Sequence, residues 1–311
     1  MIRAFLLLFC LGLLGCQPQA DTTRIGSNRW LGYAPLYLAD DLGWTAPANL
    51  RLVEYPNATG VLRGFRNGLL DAAMLTLDEA LMLQDSSDEL DLEIILISNV
   101  SAGADALYAR TPITSLADLA GRRVGVENTA LGAFLLSRVR DHGKLQLDEL
   151  TIVSLPVHEH VAAFRDGRID AVISFASEGP ALEALGARRI FDSRQLSNEI
   201  VDVMVIDRKR VDVARRKQLR ALWFEALRAW HDDRENIDRR LQARLGLTPE
   251  AMQVTREGLV MGDAALHRQW FEGDQLQRSA ARLSQYLTKR GLISGTRSPH
   301  TLIADCKEPR C

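Results

Sequence analysis

Cysteine is almost absent from the body of this chain. The four that occur are Cys10 and Cys16 near one end and Cys306 and Cys311 at the other. A cysteine-rich metal centre in the interior is therefore excluded. An excess of one charge is missing too. The 38 Lys and Arg stand against 40 Asp and Glu, a net charge of −2. No broad cationic field draws the chain to nucleic acid or acidic lipid. The one basic run, Arg208-Lys209-Arg210 through Arg215-Arg216-Lys217, is flanked and interrupted by Asp207 and Asp212 and reads as a solvated helix face. There is no G-x-S-x-G, H-E-x-x-H or P-loop pattern. His158 and His160 are two apart, so they do not face one way on a helix and do not make a metal site. No catalytic residue, metal or cofactor is assigned.

The ends differ from the body. Arg3 precedes an apolar run, Ala4 to Leu14, that is shorter than the roughly 20 residues needed to span a bilayer. It has the length of a signal-peptide core. It closes on Leu13-Leu14-Gly15-Cys16, which resembles the lipobox of bacterial lipoproteins, where the cysteine carries the lipid. The expectation is a signal peptide over 1–16, a tether over 17–23 and attachment to the membrane through the lipid on Cys16 alone. Gln17 replaces the Asp that retains lipoproteins at the inner membrane, so both membranes stay open. Cys306 and Cys311 suit a small disulfide loop in an oxidising compartment. A metal between them would have too few ligands.

The chain resembles itself at an offset of 99 to 100 residues. Arg24-Ile25-Gly26 recurs as Arg123-Val124-Gly125, and Leu31-Gly32 as Leu131-Gly132. Leu52-Val53 and Pro56 recur as Ile152-Val153 and Pro156. Phe65 to Ala72 recurs as Phe164 to Ala171. Each copy reads as strand, helix, strand, helix, strand. The second helix ends at Gly68 or Gly167, where glycine can take the left-handed conformation. Asp71 or Asp170 then opens an apolar strand. Such units give parallel sheets, so two similar α/β lobes are expected, each with a mostly parallel mixed sheet and a cleft between them. The first lobe is assigned to 24–107 plus 204–295, the second to 108–203 and an irregular tail to 296–311. Glu199 to Ile206 reads as a strand returning to the first lobe. Beyond about Lys209 the chain reads as helical, with Trp223 and Trp230 on an apolar face.

In open parallel sheets, ligands bind beyond the carboxyl ends of the strands. That rule points to Trp30, Gly32 and Tyr33, to Asn57, and to Thr76, Asp78 and Glu79 in the first copy. In the second it points to Asn128, Thr129 and Ala130, and to Phe175, Ser177 and Glu178. Trp30 and Tyr33 suit stacking on a planar ring or cover of the lobe's own core. Glu79 and Glu178 occupy equivalent places in the two copies. Paired across a cleft, they favour an amine or ring N–H donors; alone, each fits a helix start. Asn128-Thr129 suits an anion cradle or a plain N-cap.

Three stretches carry a family resemblance. Trp30-Leu-Gly-Tyr-Ala-Pro-Leu-Tyr-Leu-Ala39 resembles the opening motif of the bacterial substrate-binding family that includes sulfonate-, taurine-, nitrate- and thiamine-pyrimidine-precursor-binding proteins. Ile113 to Val126 resembles that family's crossover into the second lobe, and Phe164 to Val172 its second-lobe strand motif. The resemblance spans about 24–292. It implies a type II periplasmic-binding fold, a monomer with a two-strand hinge, and delivery of a small molecule to an ABC permease in the inner membrane. It also implies Trp30, Tyr33, the Thr76 turn, Asn128-Thr129 and Glu178 as ligand neighbours. One departure stands out: Ser174-Phe-Ala-Ser-Glu-Gly-Pro180 displaces a proline that many members carry sooner after the strand.

Three functions fit this architecture. One is a transport receptor for a small nitrogen-bearing planar molecule or a small sulfonate. Another is a receptor presenting its closed form to a membrane signalling protein. The last is an enzyme on the same fold, such as one making a thiamine-pyrimidine or menaquinone precursor. Export and the missing interior cysteines weigh against the enzyme.

Overall fold

The computed structural model describes residues 22–303. The expected signal peptide, Cys16 and the Cys306–Cys311 pair lie outside the described residues.

The chain opens with β1 (Thr23–Asn28), α1 (Ala34–Asp41), β2 (Leu50–Tyr55), α2 (Ala58–Arg66) and β3 (Ala72–Thr76). Helix α3 (Leu77–Asp85) leads into β4 (Leu92–Ser101). The chain then crosses to a second sheet, through β5 (Asp105–Ala109), β6 (Arg123–Val126), α4 (Ala130–Gly143), β7 (Thr151–Ser154) and α5 (His160–Arg165). That sheet is completed by β8 (Ala171–Phe175), α6 (Gly179–Ala184) and β9 (Arg188–Asp192). Strand β10 (Val201–Asp207) returns to the first sheet. The remainder is α7 (Val213–Asp232), α8 (Arg234–Leu245), α9 (Pro249–Glu257), β11 (Leu259–Met261), α10 (Ala264–Glu272) and α11 (Gln275–Lys289). The sheet orders are β11-β4-β10-β3-β1-β2 and β7-β6-β8-β5-β9.

The internal repeat is realised in three dimensions. In the first sheet β1 lies parallel between β2 and β3, with Ile25 opposite Ala72. In the second, β6 lies parallel between β7 and β8, with Val124 opposite Ala171. Both helices preceding the third strand end at a glycine with positive φ, +70° at Gly68 and +68° at Gly167. The same ion pair clasps each unit. Asp71 accepts from the Arg24 backbone N–H at 2.8 Å and from its guanidinium at 3.0 Å. Asp170 accepts from the Arg123 backbone at 2.9 Å and from its guanidinium at 2.7 Å. Both carboxyls are held below their usual range. The Arg123 hydrogen bond leads at Asp170. At Asp71 partial burial pushes upward, and Arg24 and Arg210 outweigh it.

Two short links join the sheets, 102–104 outward and 193–200 back. They run side by side. The Ser193 hydroxyl accepts from the Gly103 N–H at 2.7 Å and meets the Ser101 hydroxyl at 2.7 Å. Gly103 has φ +122°, a conformation open to glycine. Strand β5 therefore enters the second sheet from Asp105, and β10 enters the first from Val201.

The apolar faces behave as their spacing predicts. Trp223 is fully buried, donating Nε1–H to the Gly262 carbonyl at 2.9 Å, and Trp230 donates to Asp238 at 2.7 Å. Three expectations need correction. The segment after Lys209 is not wholly helical, because β11 adds an edge strand to β4; three residues are too few for a period to register. The tail is not wholly irregular, because Leu302 is buried and Ile303 bridges to Ile94. The basic run is not simply solvated. Arg208 and Arg216 converge on the buried Glu93 at 2.8 and 2.7 Å, and Arg210 joins Asp71 at 3.0 Å.

Candidate functional site

The carboxyl ends of the parallel strands in both sheets open onto one cavity of about 330 Å³. Its floor is built on Asp202, which β10 carries into the crossing region. One carboxylate oxygen of Asp202 accepts from Trp30 Nε1–H and from Asn99 Nδ2–H, each at 2.8 Å. Asn99 also donates to the Gly32 carbonyl at 3.1 Å. A Cβ on Gly32 would stand 2.2 Å from Asn99 Nδ2 and 2.4 Å from Trp30 Nε1. Glycine is thus the residue that lets the Trp30–Asp202–Asn99 floor assemble. Trp30 reaches across to Phe175 of the second sheet, with ring centroids 4.8 Å apart.

Carboxyls dominate the polar lining. Glu79, Asp105, Glu127, Glu178 and Asp202 all face the cavity. Glu79 is fully buried, and its Oε2 accepts from the Thr76 backbone N–H at 3.0 Å. Burial and neighbouring Asp78 push the Glu79 carboxyl up to about 8. Burial pushes Asp202 to about 7, against the hydrogen bond from Asn99 and with repulsion from Asp105. It pushes Asp105 and Asp78 each to about 6, and raises Glu127 and Glu178. Burial and Asp202 hold the Tyr33 phenol well above its usual range. Among the described residues one guanidinium stands at the rim, that of Arg29, which is exposed and lies 3.3 Å from Glu54.

Of the residues expected at the site, Trp30, Tyr33, Asn57, Thr76, Glu79, Thr129, Phe175, Ser177 and Glu178 line the cavity. Gly32 lies beneath it, and Asp78 is buried behind. Asn128 is exposed, and neither it nor Ala130 is part of the lining. Two lining residues also serve as helix caps. Asn57 Oδ1 accepts from the Gly60 N–H at 3.0 Å, and Thr129 Oγ1 from the Gly132 N–H at 3.1 Å.

The two histidines diverge. His158 faces the cavity. His160 is buried, with Nε2 at 3.1 Å from the Leu155 carbonyl and Nδ1 at 2.9 Å from the Ser174 hydroxyl. A carbonyl only accepts, so Nε2 carries the proton and Nδ1 accepts from Ser174. Burial drives this imidazole down to about 4.

Sequence reasoning missed Asp105, Asp202 and Glu127, and also Leu245 to Leu247 and Thr255, which reach the cavity from the C-terminal helices. A signal for two of them was present. Asp105 opens the apolar strand β5 and Asp202 sits second in the mostly apolar β10, and a charged residue there is rarely buried without a partner. The C-terminal residues carried no signal, since only packing brings them to the cleft.

The sequence pattern of the family described as NMT1/THI5 like matches residues 30–235. The taurine-binding periplasmic protein of Escherichia coli (strain K12) is 23% identical over 306 residues, with 92% of each chain covered. The alkanesulfonate-binding protein SsuA from Xanthomonas axonopodis pv. citri, solved bound to MOPS, superposes with a TM-score of 0.73 at 18% identity, covering 93% of this chain and 99% of that one. The desulfurization enzyme DszB superposes with a TM-score of 0.65 at 19% identity, covering 88% and 93%. The same α/β two-sheet fold thus carries binding proteins and an enzyme.

Proposed function

Because this chain belongs to the NMT1/THI5-like family, we propose that it is an extracytoplasmic solute-binding protein that captures a small molecule between its two lobes and delivers it to an ABC importer. The observation that carries this reading is a cavity fed by equivalent strand ends of both repeat copies, beside two short inter-sheet links. Its volume lies at the lower end of the range for small-molecule sites, roughly 300–1,000 Å³. The binding function named for the taurine and alkanesulfonate relatives supports the same reading.

The mechanism is closure. Ligand held by one lobe draws the other in, and the closed form engages the permease. Moving the equilibrium from 1:99 to 99:1 takes about 5.5 kcal/mol of differential affinity. Contacts made to both sheets at once, such as those available at Trp30 and Phe175, are the ones that discriminate closed from open. The chain is a monomer held at the periplasmic face of the cell envelope by lipid on Cys16. Its ligand is a small nitrogen-bearing planar compound or a small sulfonate.

Small-angle scattering of the purified protein with a broad panel of amines, heterocycles, sulfonates and carboxylates tests the reading. At least one compound is expected to reduce the radius of gyration and raise the melting temperature together. If no compound does either, the receptor assignment is lost. The anchor has its own check: Cys16→Ser is expected to move the protein from the membrane fraction to the soluble one.

A further inference from the structure

The receptor reading leaves the ligand's charge open, and the cleft speaks to it. Five carboxyls face the cavity, from four separate strand or helix ends and a crossing strand: Glu79, Asp105, Glu127, Glu178 and Asp202. Among the described lining residues one arginine occurs, Arg29, which pairs with Glu54 at 3.3 Å. An anion entering this cavity would meet five acidic groups and, among the described residues, one guanidinium already paired with Glu54.

Two of the lining carboxyls are incompletely satisfied by the protein, as is Asp78 behind them. Glu79 Oε1 and Asp105 Oδ1 have no hydrogen-bond partner, yet their residues are 0% and 2% exposed. Buried carboxylate oxygens without partners are costly and rare in folded proteins. Both residues line the cavity, so the missing donors can come from a ligand. The wall beside them carries the Trp30 and Phe175 rings, and aromatic faces attract cations. A metal ion fits less well, because among the described residues no group of three or more His, Cys, Asp or Glu is arranged to hold one.

Resting on the receptor reading, we propose that the cleft takes an organic cation, a small molecule whose protonated amine or amidinium donates to Glu79 and Asp105 while its apolar or planar body lies against Trp30 and Phe175. This sets the protein apart from relatives named for sulfonates, and it carries a proton signature. Burial and mutual repulsion hold Asp105, Asp202 and Glu79 partly protonated near neutral pH. Asp78 stands behind them, Glu127, Glu178, Tyr33 and His158 face them, and Arg29 sits at the rim. A bound cation favours the ionised carboxyls, so binding releases protons and strengthens as pH rises from about 6 to about 8. An anion accepting hydrogen bonds from protonated carboxyls would instead take protons up and bind more tightly at low pH.

The test uses matched probes on the purified protein: benzylammonium, benzamidinium and phenethylammonium against benzenesulfonate, ethanesulfonate and butanesulfonate, by calorimetry in buffers of different ionisation heat. Binding of a cation with proton release, weakened about tenfold or more by Asp105→Asn, is the expected result. Retention of the floor's melting behaviour in Asp105→Asn separates lost affinity from lost fold. Tighter binding of a sulfonate, with proton uptake, overturns the cation proposal and keeps the receptor. Failure of every cation to bind at millimolar concentration also overturns it, and the scattering panel then decides whether the receptor reading falls as well.

Discussion

Gly32 shows how one residue decides the floor of the cleft. Its missing Cβ leaves room for Asn99 and Trp30 to meet the same oxygen of Asp202. Gly32→Ala is expected to push Asn99 or Trp30 off that carboxyl. Overpacking of this kind costs about 1–3 kcal/mol, to be read from chemical denaturation. Trp30→Ala probes the wall above. It removes the Phe175 contact and leaves Asp202 with one donor fewer. It should weaken ligand binding by about 1 kcal/mol or more, and unchanged affinity in a titration would take Trp30 out of the site. Trp30 and Tyr33 announce themselves in the sequence by position after the first strand. Asp105 and Asp202 stand out in the sequence only as acids in apolar strands; that they meet at one cavity is seen only in the fold.

Equivalent elements carry equivalent clasps of unequal strength. The Arg24–Asp71 pair is the more buried, with the Asp71 side chain 10% exposed and Arg210 as a second partner. The Asp170 side chain is 20% exposed and its Arg123 44%. Asp71→Asn is therefore expected to cost about 1.5–3 kcal/mol, the range for hydrogen bonds to charged groups. Asp170→Asn should cost less than about 1 kcal/mol, as exposed pairs do. Equal effects in urea denaturation would contradict this ranking by burial. The repeat reveals these strands and helices because each unit's periodicity is local. It cannot reveal β11, whose three residues pair with β4 only because α9 delivers them there.

At the scale of the whole molecule, the buried acids make stability depend on pH in an uncommon direction. Glu79 and Asp202 titrate at about 8 and 7 in the fold, above their ordinary unfolded values of about 4. The folded state therefore holds more protons, and the stability they contribute is present at low pH and lost as pH rises through those values. The buried His160 and His267, driven to about 4, act oppositely, but only below their unfolded value of about 6.5. Between about pH 6.5 and 8 the acids act alone. Without ligand, the melting temperature is expected to fall across that window by a few degrees, for roughly 1–2 kcal/mol. Glu79→Gln should flatten the slope in scanning calorimetry. A flat or rising profile in the unsubstituted protein would contradict the shifts assigned to this cleft.

The sequence by itself determined that there are two α/β units, which strand ends face the cavity, and which helix faces are apolar. Those follow from repeat, period and turn chemistry, all short-range properties of a chain. Tertiary structure alone decided the character of the cleft. Asp105 and Asp202 are 97 residues apart in number, and Glu79 belongs to yet another element. Their convergence depends on two crossing links and on antiparallel pairings between strands distant along the chain. Electrostatics depends on distance in space and on burial, and neither can be read from spacing along a sequence.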